Sequence, residues 1–483
     1  MHFRRAAFLF TIASCLTQLA IAQTASERLE AVRRDPLRLR QFLEALPKGG
    51  DLHNHLSGDV YAESFMQWAA DDGFCVDKTN KALVPKCEGD NMVPAATALT
   101  QSVYGQMLDA LSMRQFRDTN ESGHDHFFAT FGKFGAVSRQ HASEMLVEAV
   151  QRFGSENVDY MEIIYAADRG AASRLGSDLT KGADFKSMRD QLLAGTALKA
   201  VLADSRRSLD DADAAVKTEL HCGQADAKAG CNVDYRFLDE VHRGIPRENL
   251  FAELVHGFEL ASVDPRIVGI NPVMPEDGYL SMTQFSDLMA MFAFLRPLYP
   301  TVKVSTHAGE LAPGLVPPEG LRFHIRDSVE IAKAERIGHG VDIAYETNAP
   351  QLLREMAKRH VAVEICLTSN DVILGIRGKQ HPLPMYMRAG VPVSLASDDP
   401  GVSRADLTTE FQRAVTEFGL QYSDMKKMIR NSIEYSFLEG ASLFVDHDYT
   451  RRACTTSCDA YLAKNAKARV QWKVEQRLRA FEQ

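Results

Sequence analysis

Short apolar runs suited to β-strands alternate with segments of helical periodicity along most of this chain. Strand runs stand at 158–165, 233–241, 267–273, 302–307, 336–341, 361–367 and 391–397, and a shorter one follows the break at 47–50. Helical segments fall between them, at 184–212, 247–261, 283–298, 325–334, 348–359 (capped by Asn348) and 384–389. This spacing is that of parallel crossover units. It predicts an α/β fold, a TIM-type (β/α)8 barrel with an N-terminal extension, inserted loops and extra C-terminal helices. An open doubly wound sheet is the alternative, but no Gly-rich dinucleotide fingerprint opens the chain.

The organisation expected is a signal peptide over 1–22, a helical extension over 23–46 and a barrel over 47–410. Insertions fall near 72–100 and 222–231, and a helical part over 411–483 packs on the barrel. Helices are also expected over 101–118 and 138–153. The first 22 residues combine a basic start, an apolar run and Ala20-Ile21-Ala22, a small-x-small cleavage site. A second processing route is open: Ile12-Ala13-Ser14-Cys15 matches a lipoprotein box, with lipid anchoring at Cys15. Either way the protein is expected to be exported, periplasmic or secreted. In that setting Cys75 with Cys87, Cys222 with Cys231 and Cys454 with Cys458 read as three local disulfides, and Cys366 as a buried small hydrophobe. The composition, 45% hydrophobic and 25% charged, excludes a wholly disordered chain. A net charge of −9 argues against a general nucleic-acid binder.

Four segments at strand ends carry chemistry. In Asp51-Leu52-His53-Asn54-His55, the two histidines are two apart and share one face of a strand, so both imidazoles can meet one metal. Ser305-Thr306-His307-Ala308-Gly309-Glu310 adds an imidazole and a carboxylate. In Arg336-Ile337-Gly338-His339-Gly340, glycines flank the histidine and permit close approach. Ser397-Asp398-Asp399 places two acids after an apolar strand. These segments fall at roughly the first, fifth, sixth and eighth strands, and barrel chemistry draws its residues from several strand ends. Three nitrogens and one carboxylate suit Zn2+; the ligand types also admit Fe2+ and Mn2+. Singly, each residue has a plainer reading: His307 and His339 as core histidines, Glu310 and Asp398-Asp399 as helix caps.

Together with Tyr160 and Glu162, Val268-Gly269-Ile270, Cys366 to Asn370 and His381-Pro382-Leu383, the four segments resemble the adenosine deaminase family of the metal-dependent amidohydrolase superfamily. The resemblance implies one Zn2+ per chain on His53, His55, His307 and Asp398. It implies hydrolysis of adenosine and 2′-deoxyadenosine to inosine and 2′-deoxyinosine with release of ammonia. Glu310 would protonate N1, His339 with Asp398 would orient or deprotonate the nucleophile, and Asp399 would hydrogen-bond N7. His55 and Ser57 would border the substrate. Ser57 stands where relatives often carry an acid for the ribose 5′-hydroxyl, and Met274 near the family glycine whose N–H meets N3. Glu276 and Asp277 are read as partial replacements for that acid. The runner-up substrate is another aminated purine, such as adenine or an N6-modified adenosine; a non-enzymatic binding protein with a retained barrel is a third reading. The pattern H-x-E…P-C-x-x-C of deaminases acting on flipped bases is absent. Export, the enlarged N-terminal part and the 72–100 insertion resemble secreted, growth-factor-like deaminases. A purine nucleoside is the expected partner, with no nucleic acid and no transmembrane partner; exposed helices leave a homodimer open.

Overall fold

A computed structural model of the chain describes residues 23–455 and 458–483, so the signal segment and Cys15 lie outside the described residues. Eight strands pair in parallel in chain order: β1 (Gly49–His55), β2 (Val158–Tyr165), β3 (Asp234–His242), β4 (Ile267–Val273), β5 (Lys303–Ala308), β6 (Arg336–His339), β7 (Ala362–Ile365) and β8 (Val393–Leu395). The ring closes just beyond β8. There the Asp398 N–H donates to His53 O (2.9 Å) and the His55 N–H to Asp398 O (3.0 Å). A parallel barrel must be covered outside and filled inside, so its strands read as apolar runs. β2, β6, β7 and β8 are buried along their whole length. Outside, the Arg247–Val263 and Phe285–Leu295 helices pack through Phe258 and Phe292. Inside lies an ion cluster: Arg336, fully buried, reaches Glu162 at 2.6 Å and also pairs with Glu364.

The four expected segments end strands β1, β5 and β6 and follow β8. The extension forms helices Ala25–Val32 and Pro36–Ala45; Thr24 and Asp35 cap them, and Pro36 takes the first turn, where its missing N–H costs nothing. All three local disulfides form, and Cys366 is buried and free. Residues 72–100 hold more order than a loop: Cys75–Asp77, Ala82–Val84 and Met92–Pro94 make a small antiparallel sheet. Among the described residues, no helix is long and apolar enough to cross a membrane.

Two expectations need correction, and one helix was not foreseen. The helix expected over 101–118 stops at Ala110, and only a 3-10 turn, Phe116–Asp118, follows. Gly123–Ser138 is an unforeseen helix. Its three glycines depress intrinsic propensity, but Phe127, Phe131 and Phe134 recur at helical spacing and bury one face. Asn348 does not cap the next helix through its side chain. It adopts φ 55° and bonds Gln351 instead.

Candidate active site

The strand ends bring four ligand atoms together. His53 Nε2 lies 3.0 Å from His307 Nε2, and His55 Nε2 lies 3.2 Å from the same atom. Asp398 Oδ1 is 3.4 Å from His53 Nε2 and 3.3 Å from His55 Nε2. Ligands about 2.1 Å from one tetrahedral ion stand about 3.4 Å apart, so this spacing suits a single divalent metal. The remote ring nitrogens are already engaged. His53 Nδ1 lies 2.6 Å from Glu364 Oε2, and His307 Nδ1 lies 2.6 Å from Asn271 Oδ1. Each contact fixes the ring and leaves Nε2 facing the cluster, the usual support of a metal-binding histidine. Burial and the neighbouring imidazoles push His307 well below the ordinary histidine value, as a neutral ligand requires. Gly338 makes this packing possible, since a Cβ there would stand 2.5 Å from His53 Cε1.

His339 also lies within 4.8 Å of His53, His307 and Asp398, but a different network sets its role. The Leu383 N–H donates to His381 Nδ1, so His381 Nε2 carries the proton given to Asn370 Oδ1. Asn370 Nδ2 then donates to His339 Nδ1 at 3.1 Å. In the neutral ring the remaining proton is therefore on Nε2, a buried atom with no hydrogen-bond partner among the described residues. Burial holds the ring down at about 3, hence neutral near pH 7. Glu310 Oε1 lies 3.7 Å from His339 Nδ1. Burial and then Asp398 push the Glu310 carboxyl up to about 8, so it holds a proton at neutral pH. Met274, His339 and Asp398 all have left-handed backbones, with φ of 83°, 66° and 62°. Strain of this kind costs roughly 1–3 kcal/mol per residue and gathers at functional sites.

Above the cluster is a cavity of about 410 Å³. Its floor includes His55, Glu310, His339, Asp398 and Asp399, and Ser57 and Met274 line its sides. Phe127, Phe128 and Phe131 of the unforeseen helix form an apolar wall. Besides this wall, the charged pair Glu240 and His242, 3.2 Å apart at the end of β3, lines the cavity without having been marked in the sequence. Glu276 is a correction. It lies off the cavity, fully buried, and its carboxylate oxygens accept the Gly309 and Glu310 N–H groups at 3.0 and 2.8 Å. Those donors already occupy the carboxylate, so Glu276 cannot replace a sugar-binding acid. Asp277 is 2.9 Å from His124 Nε2 and ties the Gly123–Ser138 helix to the segment after β4.

A parallel eight-stranded barrel with three imidazoles and a carboxylate gathered at its strand ends has the architecture of the metal-dependent amidohydrolases. The chain belongs to the adenosine deaminase family: the family described as adenosine deaminase matches residues 93–442. An aminodeoxyfutalosine deaminase of Streptomyces coelicolor is 39% identical over 108 residues, 22% of this chain and 27% of that protein. An adenosine deaminase of Clostridium perfringens is 35% identical over 136 residues, 28% of this chain and 38% of that protein. The matched stretch thus spans only about a quarter to two-fifths of these relatives' lengths. In fold, the chain is similar to the N6-mAMP deaminase of Arabidopsis, with a TM-score of 0.57, 18% identity, and coverage of 90% of this chain and 99% of that one.

Proposed function

We propose that this protein hydrolytically deaminates an aminated purine at C6, using one Zn2+ held by His53, His55, His307 and Asp398. The single observation that carries the reading is the convergence of these four ligand atoms at a cavity that the buried Glu310 also lines. Held by His53, His55, His307 and Asp398, a divalent ion would lower the pKa of a bound water to about 7 and so make a nucleophile available at neutral pH. The chain's own groups do the rest. His339 presents Nε2–H to the attacking oxygen and orients it. Glu310 gives its proton to N1 as the oxygen adds to C6; the C6–N6 bond then breaks, the proton of the added hydroxyl passes to the departing nitrogen, and ammonia or amine leaves the 6-oxopurine. Asp399 hydrogen-bonds N7 and fixes the base in plane. The apolar wall of Phe127, Phe128 and Phe131 limits bulk water beside the reacting atoms.

Another aminated purine, such as adenine or an N6-modified adenosine, fits better than a reading confined to adenosine. Ser57 supplies no charge for a 5′-hydroxyl, and Glu276, the acid read as its substitute, is committed to backbone. A cavity of about 410 Å³ with a phenylalanine wall has room for more than the bare nucleoside. The matched relatives' names, one for aminodeoxyfutalosine and one for adenosine, support a 6-aminopurine without singling out adenosine. Three disulfides support an oxidising compartment and hence export, alongside the secreted members of the family.

The test is a panel of adenosine, deoxyadenosine, adenine and their N6-substituted forms, with released ammonia or amine measured beside bound metal. Turnover highest on adenine or on an N6-substituted form is expected. Turnover on none of them rejects the reading, and a clear preference for adenosine restores the narrower one. Mass spectrometry of the mature N-terminus decides processing, because a start at Gln23 and a lipidated Cys15 exclude each other.

A further inference from the structure

Glu276 has a different use. Its carboxylate is fully buried between the segment leaving β4 and the turn after β5. Oε1 accepts from the Gly309 N–H at 3.0 Å and lies 2.5 Å from His324 Nδ1; Oε2 accepts from the Glu310 N–H at 2.8 Å. Two consecutive backbone donors thus converge on one carboxylate. Arg243 stands behind it, with Nη2 3.9 Å from Oε2. The same guanidinium donates to Met274 O and His307 O, tying the ends of β4 and β5. Gly309 has φ 76°, and a Cβ there would meet Asp342 Oδ1 at 2.5 Å, so the turn has little freedom to settle elsewhere. The Glu310 side chain leaves the backbone one atom beyond the N–H that Glu276 holds.

We propose that Glu276 is a positioning residue for Glu310: its carboxylate grips the Gly309 and Glu310 amides and so sets where the Glu310 carboxyl stands over the ligand cluster. The proposal rests on the reading of Glu310 as the proton donor. Its physical basis is that a carboxylate accepts at both oxygens, in bonds strengthened by charge. Glutamine at this position has one oxygen, and its NH2 would face an N–H. Catalysis is sensitive to such a change, since a displacement of about 1 Å can cost about 10²-fold in rate. None of the hydrogen bonds of Glu276 goes to one of the four ligand atoms, so the metal is expected to stay bound when the clamp is loosened.

The experiment compares the full-length, metal-loaded protein with Glu276→Gln. Amide hydrogen exchange at Gly309 and Glu310, metal content, kcat and KM are measured. Faster exchange at those two amides is expected, with metal content unchanged, KM within about twofold and kcat reduced about 10- to 100-fold. His324→Gln loosens the same carboxylate from its other side, and should lower kcat by a smaller factor at unchanged KM. It decides the matter if Glu276→Gln does not fold. Unchanged exchange with unchanged kcat overturns the proposal. So does a loss of metal and a rise in KM in step with the fall in kcat, which marks a general scaffold role. A wild-type protein that turns over no aminated purine defeats the functional reading, while the exchange data still decide whether the clamp exists.

Discussion

Glu364 Oε2 lies 2.6 Å from His53 Nδ1, on the side of the ring away from the ligand cluster. The same carboxylate accepts from Ser305 Oγ at 3.0 Å and pairs with Arg336, so it cannot swing away. It fixes both the tautomer and the orientation of His53. Glu364→Gln should therefore weaken metal affinity about 10- to 100-fold while the four ligands remain. Chelator competition measures this directly, and an unchanged affinity would assign Glu364 to the ion cluster alone.

Glu310 holds its proton near neutral pH through burial and the nearby Asp398 carboxylate. Glu310→Gln keeps the shape and removes the acid. A fall in kcat of about 10²- to 10⁴-fold is expected, with metal content and melting temperature close to wild type. Retained turnover would show that another group protonates the ring.

Met274 carries a side chain at φ 83° and rests over Gly244, where a Cβ would stand 3.0 Å from Met274 Cε. Met274→Gly relieves about 1 kcal/mol of backbone strain and gives up contacts at a position already 38% exposed. Stability within about 1 kcal/mol of wild type is expected. Kinetics should shift toward bulkier purines as the cavity opens over Gly244. A much larger destabilisation in denaturant titration would mean that packing, not strain, dominates there.

His124 joins the Gly123–Ser138 helix to Asp277 in the segment after β4. Asp277 first, then Asp125, raise the imidazole to about 9 against its partial burial. The folded value exceeds the unfolded one of about 6.5. The contact therefore stabilises fully below about pH 6.5 and fades as pH rises through about 9. The difference in melting temperature between wild type and His124→Asn should be constant at acid pH and shrink toward zero by about pH 10. A difference that does not vary with pH would rule out the ion pair.

Much of this was legible because barrel chemistry sits at strand ends. His53 and His55, two apart before a Ser-Gly turn, needed only the two-residue period of a strand to be placed on one face. His307, Glu310, His339 and Asp398 followed from apolar runs that stop at them. The same period marks Glu240 and His242 at the end of β3, but nothing local to those two charges says that they face a cavity. Glu364 and Asn271 were visible as lone polar residues in apolar strands. Their partners, His53 and His307, are 311 and 36 residues away, and no local pattern links them. Glu276 shows the limit most sharply. Sequence placed an acid near the site, but only the fold turns its carboxylate onto the Gly309 and Glu310 amides. The phenylalanine wall was hidden by glycines that lower helix propensity in a segment held by tertiary packing.

Elemental analysis of the purified full-length protein, wild type beside His307→Ala, tests the central claim most directly. One divalent ion per chain is expected in the wild type, with loss of that ion in a His307→Ala chain that keeps its circular dichroism. The same metal content in both proteins, or full turnover by wild type from which every divalent ion has been removed, would contradict the convergence of His53, His55, His307 and Asp398 on one cation.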